Sequence, residues 1–222
     1  MKNVIKYTNN DELFPLTGIV TLPSDYQQDE KLPMIVFLHG AGEVGESTPE
    51  TVDKVCVHGI PKYFAENADF KGLRVITASP QCIDGYIWDH LTVFLKKWID
   101  DVAEKYGADK NRIAITGLSM GGFGTWNMIT TYPDYFCCGA PICGGGVSWR
   151  IKNMHAGFPI RTFHSVDDDA VPYEHTVIMA KKARSAGMDI EFTTYTDKGH
   201  GCWDSAYEET DLIEWLASKI KK

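Results

Sequence analysis

Gly117-Leu118-Ser119-Met120-Gly121 sets a serine in the spacing G-x-S-x-G, with Gly122 and Gly124 close behind. That spacing suits a nucleophilic serine when a strand precedes it and a helix follows. A turn sharp enough to lift a hydroxyl above a sheet strains the backbone of the residue that makes it. Strand and helix can then pass close together only if the neighbours lack side chains, which Gly117 and Gly121 permit. Residues 112–116 are a β-branched strand-like run, and helix-forming sequence continues to about residue 131. The start of that helix directs free N–H groups at any anion forming beside Ser119. The same five-residue pattern occurs in ordinary turns, so the flanking elements carry the argument.

Three other stretches hold reactive side chains. His39-Gly40-Ala41-Gly42, Asp167-Asp168-Asp169 and His200 each follow an apolar run, as Ser119 does. In open α/β sheets ligands sit at the carboxyl ends of strands, where all four stretches are expected. The order is Ser, Asp, His. His200 is suited to take a proton from Ser119 and return it to a leaving group, while an aspartate holds the imidazole's tautomer. Read alone, a histidine between glycines is also a common solvent-facing loop, and three aspartates before Val-Pro also make a turn or helix cap. The backbone N–H groups of Ala41 and Met120 are the expected oxyanion hole, a device worth about 3 kcal/mol per donor. Residues 39–42 fit neither G-x-G-x-x-G nor the phosphate-binding loop, and His39 is expected to brace this loop rather than react. Histidines 39, 58, 90, 155, 164 and 175 show no H-E-x-x-H or Cys/His grouping, so neither metal nor cofactor is expected.

These residues need positioning elements. Strands are expected at 4–7, 16–22, 34–38, 74–78, 112–116, 137–142, 160–166 and 190–195. Helices are expected at 51–57, 61–68, 92–106, about 120–131, 173–186 and 206–220. Two leading strands followed by alternating strands and helices imply a mostly parallel sheet, antiparallel at its amino-terminal strands, with helices on both faces. No linker, repeat or low-complexity stretch interrupts the 222 residues, which predicts one domain over 1–222.

Composition narrows the partners. Hydrophobic residues at 44% and charged residues at 23% are those of a globular protein. A formal charge of −8 disfavours nucleic acid and anionic membranes. Residues 1–10 are mixed polar and no apolar run is membrane-spanning, so a cytoplasmic location is expected. The six cysteines lack C-x-x-C spacing and read as reduced, mostly buried thiols.

Taken together, FLHGAGE (37–43), SPQC (79–82), GLSMGGFGTW (117–126), PICGGG (141–146), Asp168 with Val171-Pro172, and KGHGCWD (198–204) resemble the α/β-hydrolase superfamily. The chain is similar to its small serine esterases, the phospholipase/carboxylesterases and feruloyl or acetyl esterases, and to relatives labelled predicted peptidases. The resemblance implies an α/β-hydrolase fold, no cofactor, and the triad Ser119, Asp168 and His200, since the family's acid is the aspartate three before Val-Pro. Two positions depart from the family. Ser165 stands where Gly is usual after the strand histidine, and Cys202 where a polar residue is common.

Little sequence separates Gly146 from Pro159, so a minimal lid or none is expected, with an open site for a soluble or carbohydrate-linked ester. Trp88, Trp149 and Trp203 are candidates to stack on an aromatic acyl or sugar ring, and Gln81 to orient substrate or cap its loop. The expected activity is carboxylic-ester hydrolysis through an acyl-enzyme. The alternatives are a serine peptidase on the same fold or a non-catalytic binding protein; a dienelactone-type reaction is disfavoured because its usual cysteine is here Ser119.

Overall fold

The computed structural model describes residues 3–221; Met1, Lys2 and Lys222, at the ends of the expected 1–222 unit, lie outside the described residues. Strands β1 (Val4–Thr8), β2 (Thr17–Thr21), β3 (Leu32–Leu38), β4 (Ile76–Pro80), β5 (Ala108–Leu118), β6 (Cys138–Ile142), β7 (Pro159–Ser165) and β8 (Asp189–Tyr195) make one sheet. Their order is β1-β2-β4-β3-β5-β6-β7-β8. β2 pairs antiparallel with β1 and with β4; the remaining neighbours are parallel. This is the mostly parallel sheet with antiparallel amino-terminal strands expected above.

Strand alternation explains why both faces are covered. Along β3, Met34, Val36 and Leu38 enter one core while Ile35 and Phe37 enter the other. Along β5, Ile113 and Ile115 join the first and Ala114 the second. Neither face can be left in water. Helices α2 (Thr92–Lys105), α3 (Met120–Thr131) and α4 (Glu174–Ser185) close the first core with Leu95, Trp98, Trp126 and Met179. Helices α1 (Gly59–Glu66), α5 (Trp203–Glu208) and α6 (Leu212–Ser218) close the second with Ile60, Phe64, Tyr207 and Leu216. Each such side chain contributes about 1.5–3 kcal/mol by leaving water.

Three expectations are refined. The helix expected at 206–220 is two helices, α5 and α6. Thr210 makes the break: its hydroxyl donates to Ala206 O at 2.6 Å and accepts from Leu212 N at 3.1 Å, replacing backbone partners. The short helix expected at 51–57 is a 3-10 helix, Val52–Val57. β4 lies two residues later than the expected 74–78, at Ile76–Pro80, in register with Met34 to Val36 of β3. Between β6 and β7 stands only a 3-10 turn, Ser148–Asn153, with Ile151 buried. Among the described residues no helix is long and apolar enough to cross a membrane.

Candidate active site

Ser119 joins the end of β5 to the start of α3 with φ 53° and ψ −118°, a region costly for any residue with a side chain. The surroundings over-determine it. Ser119 N–H donates to Ile142 O at 3.0 Å, and Phe123 N–H donates to Ser119 O at 3.1 Å. A Cβ at Gly121 would lie 1.9 Å from the carbonyl oxygen of Leu38, and one at Gly117 would lie 2.5 Å from that of Gly121. Both glycines are therefore required by close backbone approach.

His200 follows β8 and reaches back to the serine. Its Nε2 lies 2.9 Å from Ser119 Oγ and its Nδ1 lies 2.8 Å from Asp168 Oδ2. A carboxylate facing Nδ1 places the ring hydrogen there and leaves the Nε2 lone pair toward the hydroxyl. So held, the imidazole can accept the hydroxyl proton. The Asp168 side chain has no exposed surface, and its Oδ1 accepts from the N–H groups of Ala170 at 2.9 Å and Val171 at 2.8 Å. Burial alone would raise the Asp168 pKa, but hydrogen bonds from His200, Val171 and Ala170 outweigh it and hold the carboxyl below its ordinary range.

The other two aspartates do different things. Asp167 accepts from the Ser165 hydroxyl and from Gly199 N–H at 3.0 Å, and Asp169 is exposed. The structure thus brings Asp168, and not its neighbours, to His200.

Ala41 opens a 3-10 turn, Ala41–Glu43, and Met120 opens α3. First-turn N–H groups have no partner within their helix and stay free for an anion. The Ala41 loop lies against the serine: a Cβ at Gly40 would sit 3.7 Å from Ser119 Cβ. His39 braces this loop. Its Nε2 accepts from Cys82 N–H at 2.9 Å, so Nδ1 carries the hydrogen and donates to Gly40 O at 2.6 Å. Burial lowers the His39 pKa to about 4, which keeps the ring neutral.

Two expected substrate contacts are corrected. Gln81 is fully buried: Oε1 accepts from Ser47 N–H at 3.1 Å and Thr51 Oγ1 at 2.8 Å, and Nε2 donates to Glu43 O and Thr51 O, each at 3.0 Å. Its amide is used up in tying loops together. Trp88 is 1% exposed and its indole N–H donates to His39 O at 3.0 Å, so its faces are core surface rather than a stacking platform. Trp203 does border the site, half-buried, edge-on to His200 at 5.2 Å and to His58 at 5.4 Å. Trp149 is 59% exposed on the turn after β6.

Beside Ser119 opens a mainly apolar cleft of about 320 Å³, lined by Ile87, Trp88, Asp89, Met120, Phe123 and Val171. Phe123 was not singled out from sequence. The signal was available, since it stands four residues after Ser119 and hence one helical turn above it. A larger cleft, about 610 Å³, lies at the amino-terminal ends of β6 and β7 around Cys137, His155 and Lys221, remote from Ser119. Among the described residues, the grouping of three metal-capable side chains is Cys143, Asp168 and His200, with ligand atoms within 4.8 Å of one another. Two of those are already bonded to each other in the arrangement above.

Residues 88–216 match the phospholipase/carboxylesterase family. The chain belongs to that family. As a carboxylesterase/phospholipase-type α/β hydrolase it superposes on a thermostable esterase with TM-score 0.81 and 30% identity, over 99% of this chain and 64% of that one. A bifunctional acetylxylan esterase/xylanase of Neocallimastix patriciarum is 23% identical over 175 residues, 72% of this chain and 25% of its own length. Poly(3-hydroxyalkanoate) depolymerase C of Paucimonas lemoignei is 43% identical over 51 residues, 23% of this chain and 12% of its own. The chain thus spans about a quarter or less of these curated relatives.

Proposed function

We propose that this α/β hydrolase is a serine esterase that cleaves carboxylic esters through an acyl-enzyme. The observation that carries the reading is the unbroken chain from Ser119 Oγ to His200 Nε2 at 2.9 Å and from His200 Nδ1 to Asp168 Oδ2 at 2.8 Å. Ser119 Oγ attacks the ester carbon as Nε2 takes its proton. Asp168 stabilises the imidazolium that results, and the N–H groups of Ala41 and Met120 receive the oxyanion. The imidazolium then gives its proton to the departing alkoxide. Water, deprotonated by the same nitrogen, releases the acid and restores Ser119.

The substrate class is a soluble ester or an acetyl or feruloyl ester on a carbohydrate. The 320 Å³ apolar cleft suits a short or aromatic acyl group. The short turn between β6 and β7 suits a bulky alcohol, and the acetylxylan esterase among the relatives supports a carbohydrate one. Partners are such small or carbohydrate esters, with no role for nucleic acid or membrane. Five buried, unpaired cysteines suit a reducing compartment, which supports the cytoplasm.

A fluorophosphonate probe is expected to label Ser119, and Ser119→Ala to abolish both labelling and p-nitrophenyl acetate turnover. Folded protein that takes no label overturns the reading. Acetyl, butyryl, feruloyl and long-chain esters, with a peptide beside them, rank the substrate and test the peptidase alternative.

A further inference from the structure

The Asp168 carboxylate serves two imidazoles. Oδ2 lies 2.8 Å from His200 Nδ1 and also 3.0 Å from Nε2 of His164, a residue of β7 with no exposed side-chain surface. The same His164 Nε2 is 3.0 Å from Val171 O. Two acceptors on one ring nitrogen require that it carry the hydrogen. Nδ1 faces the Thr176 hydroxyl at 2.8 Å, whose own hydrogen goes to Gly144 O at 2.6 Å, and burial lowers the His164 pKa. The titratable groups that face it are Asp168 on the adjoining loop, His200 beyond the carboxylate, and Tyr173 before α4, whose ring stands 5.6 Å away.

We propose that His164 is a positioning residue for the triad: its Nε2–H fixes the Asp168 carboxylate and shares the oxygen that binds His200. The inference rests on the triad reading given above. It has two consequences. The loop holding Asp168 is tied to β7 at two points, because Asp168 Oδ2 and Val171 O both accept from His164, while Val171 N–H closes the loop on Asp168 Oδ1. Oδ2 also divides its acceptor strength between two donors, which makes it a weaker partner for the His200 imidazolium. A hydrogen bond to the charged carboxylate favours that charge but leaves less of it for a second donor.

Two substitutions separate this role from simple core filling. In His164→Gln the amide nitrogen falls near the position of Nε2 and keeps the bond to Asp168. In His164→Asn the amide falls near Nδ1, keeping Thr176 and losing Asp168. The acid limb of kcat/KM, measured with p-nitrophenyl acetate, is expected to rise by about half a pH unit or more in His164→Asn, with kcat down roughly tenfold. His164→Gln is expected to keep the wild-type limb. In the free enzyme, the low-field proton resonance of His200 Nδ1–H is expected to move in the Asn variant and stay in the Gln variant. An unmoved limb and resonance in His164→Asn, or an equal shift in both variants, overturns the proposal. Should His164→Asn not fold, nitrogen-15 spectra of the wild-type ring decide: a hydrogen on Nδ1 rather than Nε2 at neutral pH overturns it equally. A wild-type enzyme that the fluorophosphonate fails to label sinks the triad reading instead, a separate outcome.

Discussion

The Ser165 hydroxyl bonds the Asp167 carboxylate, and the pair ties the loop of His200 to the end of β7. Lys198 N–H donates to Ser165 Oγ at 3.1 Å and Gly199 N–H to Asp167 Oδ1 at 3.0 Å, directly before His200. Gly199 turns there with φ +56°.

Ser165→Gly, which installs the residue usual in the resembling family, removes the first of these ties. One hydrogen bond is worth about 1 kcal/mol, so kcat is expected to fall about fivefold with KM little changed. Steady-state kinetics on p-nitrophenyl acetate check this. A wild-type kcat would show that Asp167 alone suffices to hold the loop.

Gly121→Ala puts a methyl where the Leu38 carbonyl oxygen lies 1.9 Å away, a backbone clash that no rotamer relieves. A loss of more than about 3 kcal/mol of stability is expected, measured by urea unfolding, together with loss of fluorophosphonate labelling at Ser119.

The buried histidines predict how stability depends on pH. The His39 pKa falls from 6.5 to about 4 on burial, and the unfolded chain regains the ordinary value. Between those values the unfolded state binds a proton that the folded state refuses. Stability therefore falls as pH drops from 6.5 toward 4, by up to about 3 kcal/mol for this one ring. His164, lowered for the same reason, adds to the loss. In urea melts, His39→Gln is expected to flatten the slope in that window; an unchanged slope would place its cause elsewhere.

Trp88 and Phe123 are expected to separate stability from specificity. Trp88→Ala empties core volume and is expected to cost about 3–5 kcal/mol in thermal or urea unfolding. Phe123→Ala opens the half-buried cleft wall and is expected to raise KM for butyryl and feruloyl esters several-fold more than for acetyl esters. Equal effects on all three acyl groups would remove Phe123 from the acyl site.

Much of the site was legible because its signals are local. The glycines around Ser119, the apolar run of β3 and the strand-end positions of residues 39–42, 119, 167–169 and 200 follow from spacing and alternation along the chain. Gln81 and Trp88 misled for the opposite reason. Both sit in loops, and their neighbours decide whether a loop side chain faces solvent, ligand or core. Gln81 meets Ser47 and Thr51, and Trp88 meets His39 and Gly124, residues far off in sequence.

By itself the sequence determined which side chains exist to do chemistry and at which strand ends they emerge, since periodicity and glycine sterics act within a few residues. Only the tertiary structure decided that Asp168 receives both His200 and His164, that Asp167 and Ser165 hold a loop instead, and that Gln81 is spent inside the protein. Those outcomes depend on hydrogen-bond distances between segments brought together by packing, and no local pattern encodes an ångström across the sheet.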